Sequence, residues 1–165
     1  MDKTSAAFIR RSVRSYNGQN IPEEDLAVLC EAALSAPSAR NTRPWELFVI
    51  RDKEALHTLS SFRPPWSCLA KASAAIVVAA KYDDYFEQNC GAATENILLT
   101  AAQNGIGSVW LGLWPHKDIS AQIRTFLNAP EDVLPCCLIA LGYPDKENAF
   151  HSIETEKEKI HWEKW

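Results

Sequence analysis

The sequence predicts one layered domain of the α/β or α+β class, in which helices pack against a single sheet over residues 1–165. A chain of 165 residues suits one domain with one core. Amphipathic helical stretches alternate with apolar runs of strand length, in the order α-β-α-β-α-β-α-β. No internal repeat or low-complexity linker divides the chain, so a single domain is expected.

The first part of the chain predicts two helices and a strand. A short helix is expected from about Ser5 to Arg10, and a second opens at Pro22, which is tolerated at the first position of a helix. The apolar face of the second helix recurs with helical spacing at Leu26, Leu29, Cys30, Ala33 and Leu34. Ala36-Pro37 ends it, and a strand is predicted from Glu46 to Arg51.

The middle of the chain predicts a central strand and the longest helix. Asp52 is expected to cap a short helix that reaches about Phe62, and the segment 63–66 is interpreted as a rigid surface loop. The continuous apolar run 74–80 is typical of a strand covered on both faces. A helix from about Tyr85 to Asn104 would be roughly 30 Å long.

The last part predicts two more strands around a helix. A strand is expected over residues 107–114, and Asp118 is expected to cap the helix that follows. Pro135 leads into a buried strand over residues 136–141, and a charged tail follows.

Composition argues against several classes of protein. The net charge of −4 and a pI near 5.6 argue against general nucleic-acid binding, so no nucleic-acid partner is expected. Residues 1–14 carry four basic side chains and one acidic one, a local charge of +3 that suits a small anionic ligand. No apolar run approaches the roughly 18 residues that span a bilayer, so no membrane association is expected. Five cysteines without Cys-x-x-Cys spacing indicate buried thiols and a cytoplasmic protein.

Three polar segments could carry chemistry. The segment 10–16 places three arginines and two serines within seven residues, and guanidinium groups bind phosphate oxygens in pairs; a solvated basic surface is the alternative. The segment 37–45 is a loop bounded by prolines whose hydroxyl and amide groups could read the edge of a flat heterocycle. The segment 105–112 contains glycines that allow a ligand to approach the backbone closely, although a strand marked by glycines is the simpler interpretation.

Other kinds of site have little support in the sequence. The glycine-rich loops of Rossmann and Walker proteins are absent. The four histidines are scattered and form no pair with metal-ligand spacing, so no metal site is predicted. No Gly-x-Ser-x-Gly nucleophile motif is present.

Together the three segments resemble the FMN-dependent nitroreductase family, and in particular its small members. The resemblance is carried by Arg-Arg-Ser-x-Arg-x-Tyr at 10–16, Ala-Pro-Ser-Ala-x-Asn-x-x-Pro-Trp at 36–45, and the run at 92–112 that ends in Gly-x-Gly-Ser-x-Trp-x-Gly. Leu-Gly-Tyr-Pro at 141–144 and the closing His-Trp-Glu-Lys-Trp also match. The resemblance covers nearly the whole chain.

The resemblance implies an α+β fold with a mixed, mostly antiparallel sheet flanked by helices, in an intertwined homodimer with one FMN between the subunits at each of two sites. The long helix would lie at the dimer interface, and the tail would wrap onto the partner. The positions that match cofactor-binding residues of the family are Arg10, Arg11, Ser12, Arg14, Pro37, Ser38, Ala39, Asn41, Trp110, Leu111 and Gly112. The first four match the positions that hold the FMN phosphate and the polar edge of the flavin. The next four match the loop from the partner subunit, and the last three match the backbone beside the flavin ring. The resemblance assigns no residue a catalytic role, because the reacting atoms belong to the cofactor.

The activity implied is an NAD(P)H oxidoreductase that reduces small flat acceptors, such as nitroaromatics or quinones, by a ping-pong hydride mechanism. NADH or NADPH would be the electron donor. The alternatives are a non-catalytic flavin-binding carrier or redox-sensing module, and a basic N-terminus that serves only protein interaction.

Three departures from the family pattern stand out. Arg43 occupies a position where Gln is usual, which adds a cation to the flavin loop. The usual tail Arg has no clear match, and Lys146 or Lys157 is a candidate to replace it. The inserted helices of larger relatives are absent, and Trp66 is expected either to stack on a flat substrate or to pack as a core residue.

Overall fold

Four strands form one sheet and helices cover both of its faces, as the sequence predicts. The computed structural model describes residues 4–165, so Asp2 and Lys3 of the basic N-terminus lie outside the described residues. The helices are α1 (Ala6–Ile9), α2 (Glu23–Leu34), α3 (Lys53–Ser61), α4 (Phe86–Gln103) and α5 (Lys117–Phe126), and the strands are β1 (Trp45–Ile50), β2 (Ala74–Lys81), β3 (Gly107–Gly112) and β4 (Val133–Gly142). Short 3-10 helices cover Ala39–Asn41, Pro64–Lys71 and Lys157–Lys159.

The sheet has the strand order β1-β2-β4-β3, and every neighbouring pair of strands is antiparallel. Among the described residues, its one parallel element is an isolated bridge between Ser12 and Ser108, through which the N-terminal segment joins β3. A bulge interrupts the pairing of β2 with β4, where Val78 pairs with Cys137 and Ala79 with Pro135. The sheet is therefore mostly antiparallel, as expected.

Two apolar cores lie on opposite faces of the sheet. One contains Ile76 and Val78 of β2 with the buried faces of α2 and α4. The other contains Ala75 and Val77 of the same strand with residues of α3, α5 and the 3-10 helix Pro64–Lys71. Side chains of a strand alternate between the two faces of a sheet, so the continuous apolar run of β2 is the expected consequence of two covered faces.

Two local predictions are wrong. The segment predicted as a surface loop at 63–66 begins the 3-10 helix Pro64–Lys71, in which Trp66 and Leu69 are buried. Asp118 does not cap α5, since the helix begins one residue earlier with His116 at its N-cap. The Asp52 cap of α3 is confirmed, because its carboxylate accepts the Ala55 N–H at 2.8 Å.

All five cysteines are free, and four of them are buried. Within residues 4–165, none of the helices combines the length and the apolar composition needed to cross a bilayer.

Candidate functional site

The N-terminal segment 10–16 is fixed along β3 and the end of β4. The Val13 N–H donates to the carbonyl of Ser108 at 2.9 Å. The buried Tyr16 hydroxyl donates to the Val13 carbonyl at 2.8 Å and approaches the Ala140 carbonyl at 3.3 Å. Burial raises the pKa of the Tyr16 phenol, so it remains a neutral donor.

Two glycines make room for this segment. A Cβ at Gly107 would lie 2.8 Å from the Val13 side chain, and a Cβ at Gly142 would lie 2.7 Å from the Tyr16 ring. Such distances are too short for any larger residue. The glycine at 107 therefore serves the contact between the N-terminal segment and the sheet.

The three arginines of the segment have different partners. The Arg10 guanidinium forms a half-exposed ion pair with Glu95 of α4, with 3.6 Å between Nε and the carboxylate oxygen. Arg11 turns back onto α1, where it donates to the carbonyls of Arg10 and Phe8. Its Nε is buried without a partner among the described residues. Arg14 is exposed, and within residues 4–165 its guanidinium makes one long hydrogen bond, of 3.5 Å, to the Ser12 carbonyl.

A cavity of about 390 Å³ lies beside the segment. Arg14 and Ser12 line it from one side, and Lys146 and His151 line it from the turn after β4. Of the two lysines considered as replacements for a tail arginine, Lys146 shares a cavity with the arginines of the same chain, whereas Lys157 does not line it.

The loop 37–43 is held in a strained conformation. Arg40, Asn41 and Arg43 all have φ between +47° and +56°, in the left-handed region that non-glycine residues rarely adopt. Ser38 anchors the loop, because its hydroxyl accepts the Arg43 N–H at 2.9 Å. The Arg43 guanidinium donates to the Leu34 carbonyl at the end of α2, at 2.8 Å. The extra cation therefore contacts a helix end of its own subunit.

Asn89 of α4 connects this loop to the core. Its side-chain oxygen accepts the Ala39 N–H at 2.8 Å, and its carbonyl accepts the Trp45 indole N–H at 2.8 Å. The Asn89 side chain is 2% exposed, and its Nδ2 has no partner within residues 4–165. Asn89 is therefore hydrogen-bonded to residues at both ends of the loop, and this buried contact stabilises the strained backbone.

The third segment presents its end to solvent. Trp110 of β3 is 39% exposed, and its ring lies near Gly91, where an added Cβ would be 3.7 Å away. The Leu111 side chain is buried in the core that contains residues of α3 and α5, so only its backbone could face a ligand. Gly112 is exposed, and the nearest atom to an added Cβ lies 4.0 Å away, so the backbone is open here.

The structure brings the first and third segments together, and it attaches the second segment to α4. Ser12 bridges directly to Ser108 of β3, so the arginines and Trp110 lie at the same edge of the sheet. The loop is attached at Asn89, six residues before Glu95 on α4, or about 9 Å along the helix axis. The Pro37 and Asn41 side chains of that loop are exposed.

Two residues of the site were missed by the sequence interpretation. Glu95, the partner of Arg10, is the only charged residue between positions 88 and 116. Its isolation in an uncharged stretch could have marked it as a candidate from the sequence. Asn89 had no such signal, because an asparagine near the start of a helix is ordinary.

The position of Trp66 decides between its two expected roles. Trp66 is 3% exposed and packs in the core on the α3 face, so its proposed stacking on a substrate is wrong and the packing interpretation is confirmed. Within residues 4–165, no group of three or more His, Cys, Asp or Glu side chains is placed to hold a metal ion.

One family model matches most of this chain. The model of the Nitroreductase family matches residues 8–76 and 62–143. A protein from Archaeoglobus fulgidus named "Putative NADH dehydrogenase/NAD(P)H nitroreductase" is 42% identical over 96% of this chain and 95% of its own length.

Solved structures agree with this match. An FMN-dependent nitroreductase from Clostridium difficile is 31% identical, with a TM-score of 0.88 over 94% of this chain and 96% of that chain. A chain from Desulfovibrio desulfuricans, solved in complex with FMN, is 29% identical, with a TM-score of 0.80 over 97% of this chain and 95% of that chain.

Proposed function

Because this chain belongs to the nitroreductase family, we propose that it is an FMN-dependent oxidoreductase that transfers electrons from NAD(P)H to small flat acceptors. Nitroaromatics and quinones are the acceptor classes proposed. The observation that carries the proposal is the meeting of the arginine-rich segment with the exposed end of β3.

The residues present suit an FMN molecule. Arg14 and the Ser12 hydroxyl are exposed donors beside a cavity, as a phosphate requires. Trp110 and Gly112 leave an apolar face and an open backbone at the end of β3, as a flat ring requires. The chain therefore offers side-chain donors for the phosphate and a separate surface of apolar side chain and open backbone for the ring.

We assign the phosphate to Arg10, Ser12 and Arg14. Arg11 donates two of its N–H groups to the carbonyls of Arg10 and Phe8. Its proposed role is therefore to stabilise the backbone that carries the phosphate-binding residues. Lys146 lines the same cavity as Arg14 and is the proposed substitute for the tail arginine.

FMN, when bound, supplies the hydride chemistry of a ping-pong cycle with NADH or NADPH. The chain's own contribution is to bind and orient the ring and to place positive charge near it. A guanidinium close to the pyrimidine edge of a flavin stabilises its reduced, negatively charged form. No side chain is assigned as a proton donor or as a nucleophile.

The proposed assembly is a homodimer in which the loop 37–41 of each subunit reaches the flavin of its partner. Support comes from the exposure of this loop and of the tail, where Trp162 and Trp165 are 82% and 101% exposed. The outer edge of β1 also has no neighbouring strand among the described residues of one subunit. Sedimentation equilibrium measures the assembly directly. A cytoplasmic location remains a prediction of the sequence.

The test is an absorbance spectrum of the purified protein, followed by anaerobic titration with NADH and with NADPH. The proposal predicts a yellow protein whose flavin absorbance is bleached by at least one donor and restored by a nitroaromatic. A protein that stays colourless after FMN is added contradicts the cofactor. A yellow protein that neither donor bleaches identifies a flavin carrier instead.

A further inference from the structure

A second cavity of about 460 Å³ is lined by residues of α5 and by residues at the ends of β2 and β4, and it shares no lining residue with the cavity beside the arginine-rich segment. Its volume is within the usual range for small-molecule sites, about 300–1,000 Å³. The side chains that decide its chemistry are Tyr82, Trp114, Lys117, Ser120, Arg124 and Leu134.

One wall of the cavity is aromatic. The Tyr82 and Trp114 rings lie with centroids 5.8 Å apart, and both pack against Phe86 below them, at 5.6 Å and 5.3 Å. Trp114 is held further by Glu87, whose carboxylate accepts the indole N–H at 2.5 Å. Trp114 is therefore held by contacts with Tyr82, Phe86 and Glu87. Tyr82 itself is 64% exposed and can contact a ligand.

The cavity is also lined by two cationic side chains, Lys117 and Arg124. The Lys117 ammonium lies 5.8 Å from the Trp114 ring centroid, and no ion pair of Lys117 occurs among the described residues. Arg124 donates one N–H to the Glu131 carbonyl at 2.8 Å, which leaves most of its five donors available. No Asp or Glu lines the cavity, although the protein as a whole is acidic.

The remaining groups restrict what can bind. The Ser120 hydroxyl donates to the Pro135 carbonyl at 2.6 Å, so it is not a free donor for a ligand. The Glu87 carboxylate behind the aromatic wall is occupied by the Trp114 indole. The cavity therefore presents cationic donors beside apolar surface, and its lining contains no carboxylate to attract a cationic ligand.

We propose that this cavity is a binding site for a flat aromatic anion, whose ring packs against Tyr82 and Trp114 and whose acidic group is held by Lys117 and Arg124. Carboxylate, sulfonate and phosphate share the required chemistry. Binding here needs neither the flavin nor electron transfer, so the inference does not rest on the proposed function.

Calorimetric titration of the purified protein with 2-naphthoate and with 2-naphthamide tests the site. The two probes have the same ring system, and only the first carries a charge. The wild-type protein is expected to bind naphthoate at least about tenfold more tightly, and this preference should fall as salt is added. Equal affinity for the two probes overturns the proposal.

Substitutions locate the binding. Lys117→Gln should weaken naphthoate about fivefold and leave naphthamide unchanged, because it removes charge and keeps most of the side chain. Trp114→Leu should weaken both probes. Lys71→Gln, at an exposed lysine outside the cavity, is the matched control and should change neither. Naphthoate binding that neither cavity substitution alters overturns the proposal.

Discussion

The Arg10 guanidinium and the Glu95 carboxylate lie 3.6 Å apart, and this pair links the arginine-rich segment to α4. The side chains are 29% and 45% exposed, so the pair itself contributes little to stability. Its importance is electrostatic, because Glu95 places a negative charge beside a proposed phosphate site.

Glu95→Gln is therefore expected to strengthen FMN binding by about 1 kcal/mol at low salt, since it removes a charge that repels the phosphate and retains an acceptor for Arg10. Fluorescence titration of the apoprotein with FMN measures the change. Glu23→Gln, which disrupts the surface pair with Arg51, is the control and should have no effect on binding. Weaker FMN binding by Glu95→Gln would mean that the carboxylate orients Arg10 for the phosphate.

Asn89 is predicted to position the flavin loop. Asn89→Ala removes the acceptor of the Ala39 N–H, so it should destabilise the protein by about 1–2 kcal/mol and also weaken FMN binding. Asn96→Ala is the matched control on the same helix, since the Asn96 side chain donates to the Ala32 carbonyl outside the loop. Urea unfolding without FMN and FMN titration separate the two effects. Equal FMN affinities of the two variants would contradict the positioning role.

Arg43 is predicted to act on α2 and not on the flavin. Arg43→Gln removes the donor to the Leu34 carbonyl, so it should cost about 0.5–1.5 kcal/mol of stability. FMN affinity should change by less than about twofold, below roughly 0.5 kcal/mol. A flavin reduction potential that shifts in this variant would show that the Arg43 charge reaches the ring in the assembled protein.

Tyr16 is predicted to limit stability at alkaline pH. Because burial raises the pKa of its phenol above the ordinary value of about 10, its contribution is full below that pH and is lost as the pH rises through the pKa of the folded state. Tyr16→Phe should be about 1–2 kcal/mol less stable at neutral pH, because its hydrogen bonds are lost. Its stability should then fall less steeply than that of the wild type above about pH 10.

Urea unfolding at a series of pH values measures this difference. Tyr85→Phe, at an exposed tyrosine, is the control and should leave the alkaline slope unchanged. Parallel curves for wild type and Tyr16→Phe would contradict the prediction.

The helices and strands could largely be predicted because their signals are local. The run 74–80, which forms all of β2 except its last residue, is apolar at every position, and the face of α2 repeats with helical spacing. The segment beginning at Pro64 could not be predicted, since Pro-Pro indicates a turn while the burial of Trp66 depends on packing against the sheet.

The candidate site was predicted as a set of segments and not as contacts. The motifs identified the arginines, but the partners that distinguish them, such as Glu95 for Arg10 and the Phe8 carbonyl for Arg11, follow from tertiary packing. The same holds for Gly107, whose role depends on where Val13 lies. Short-range patterns carry no information about such contacts.

The most direct test compares FMN with riboflavin, which lacks only the phosphate, in the wild type and in Arg10→Ala and Arg14→Ala. Each substitution is predicted to weaken FMN binding by about 1.5–3 kcal/mol, because a charge-assisted hydrogen bond is lost, and to leave riboflavin binding nearly unchanged. Equal FMN dissociation constants in all three proteins, or equal losses for FMN and riboflavin, would contradict the assignment of these arginines to the phosphate.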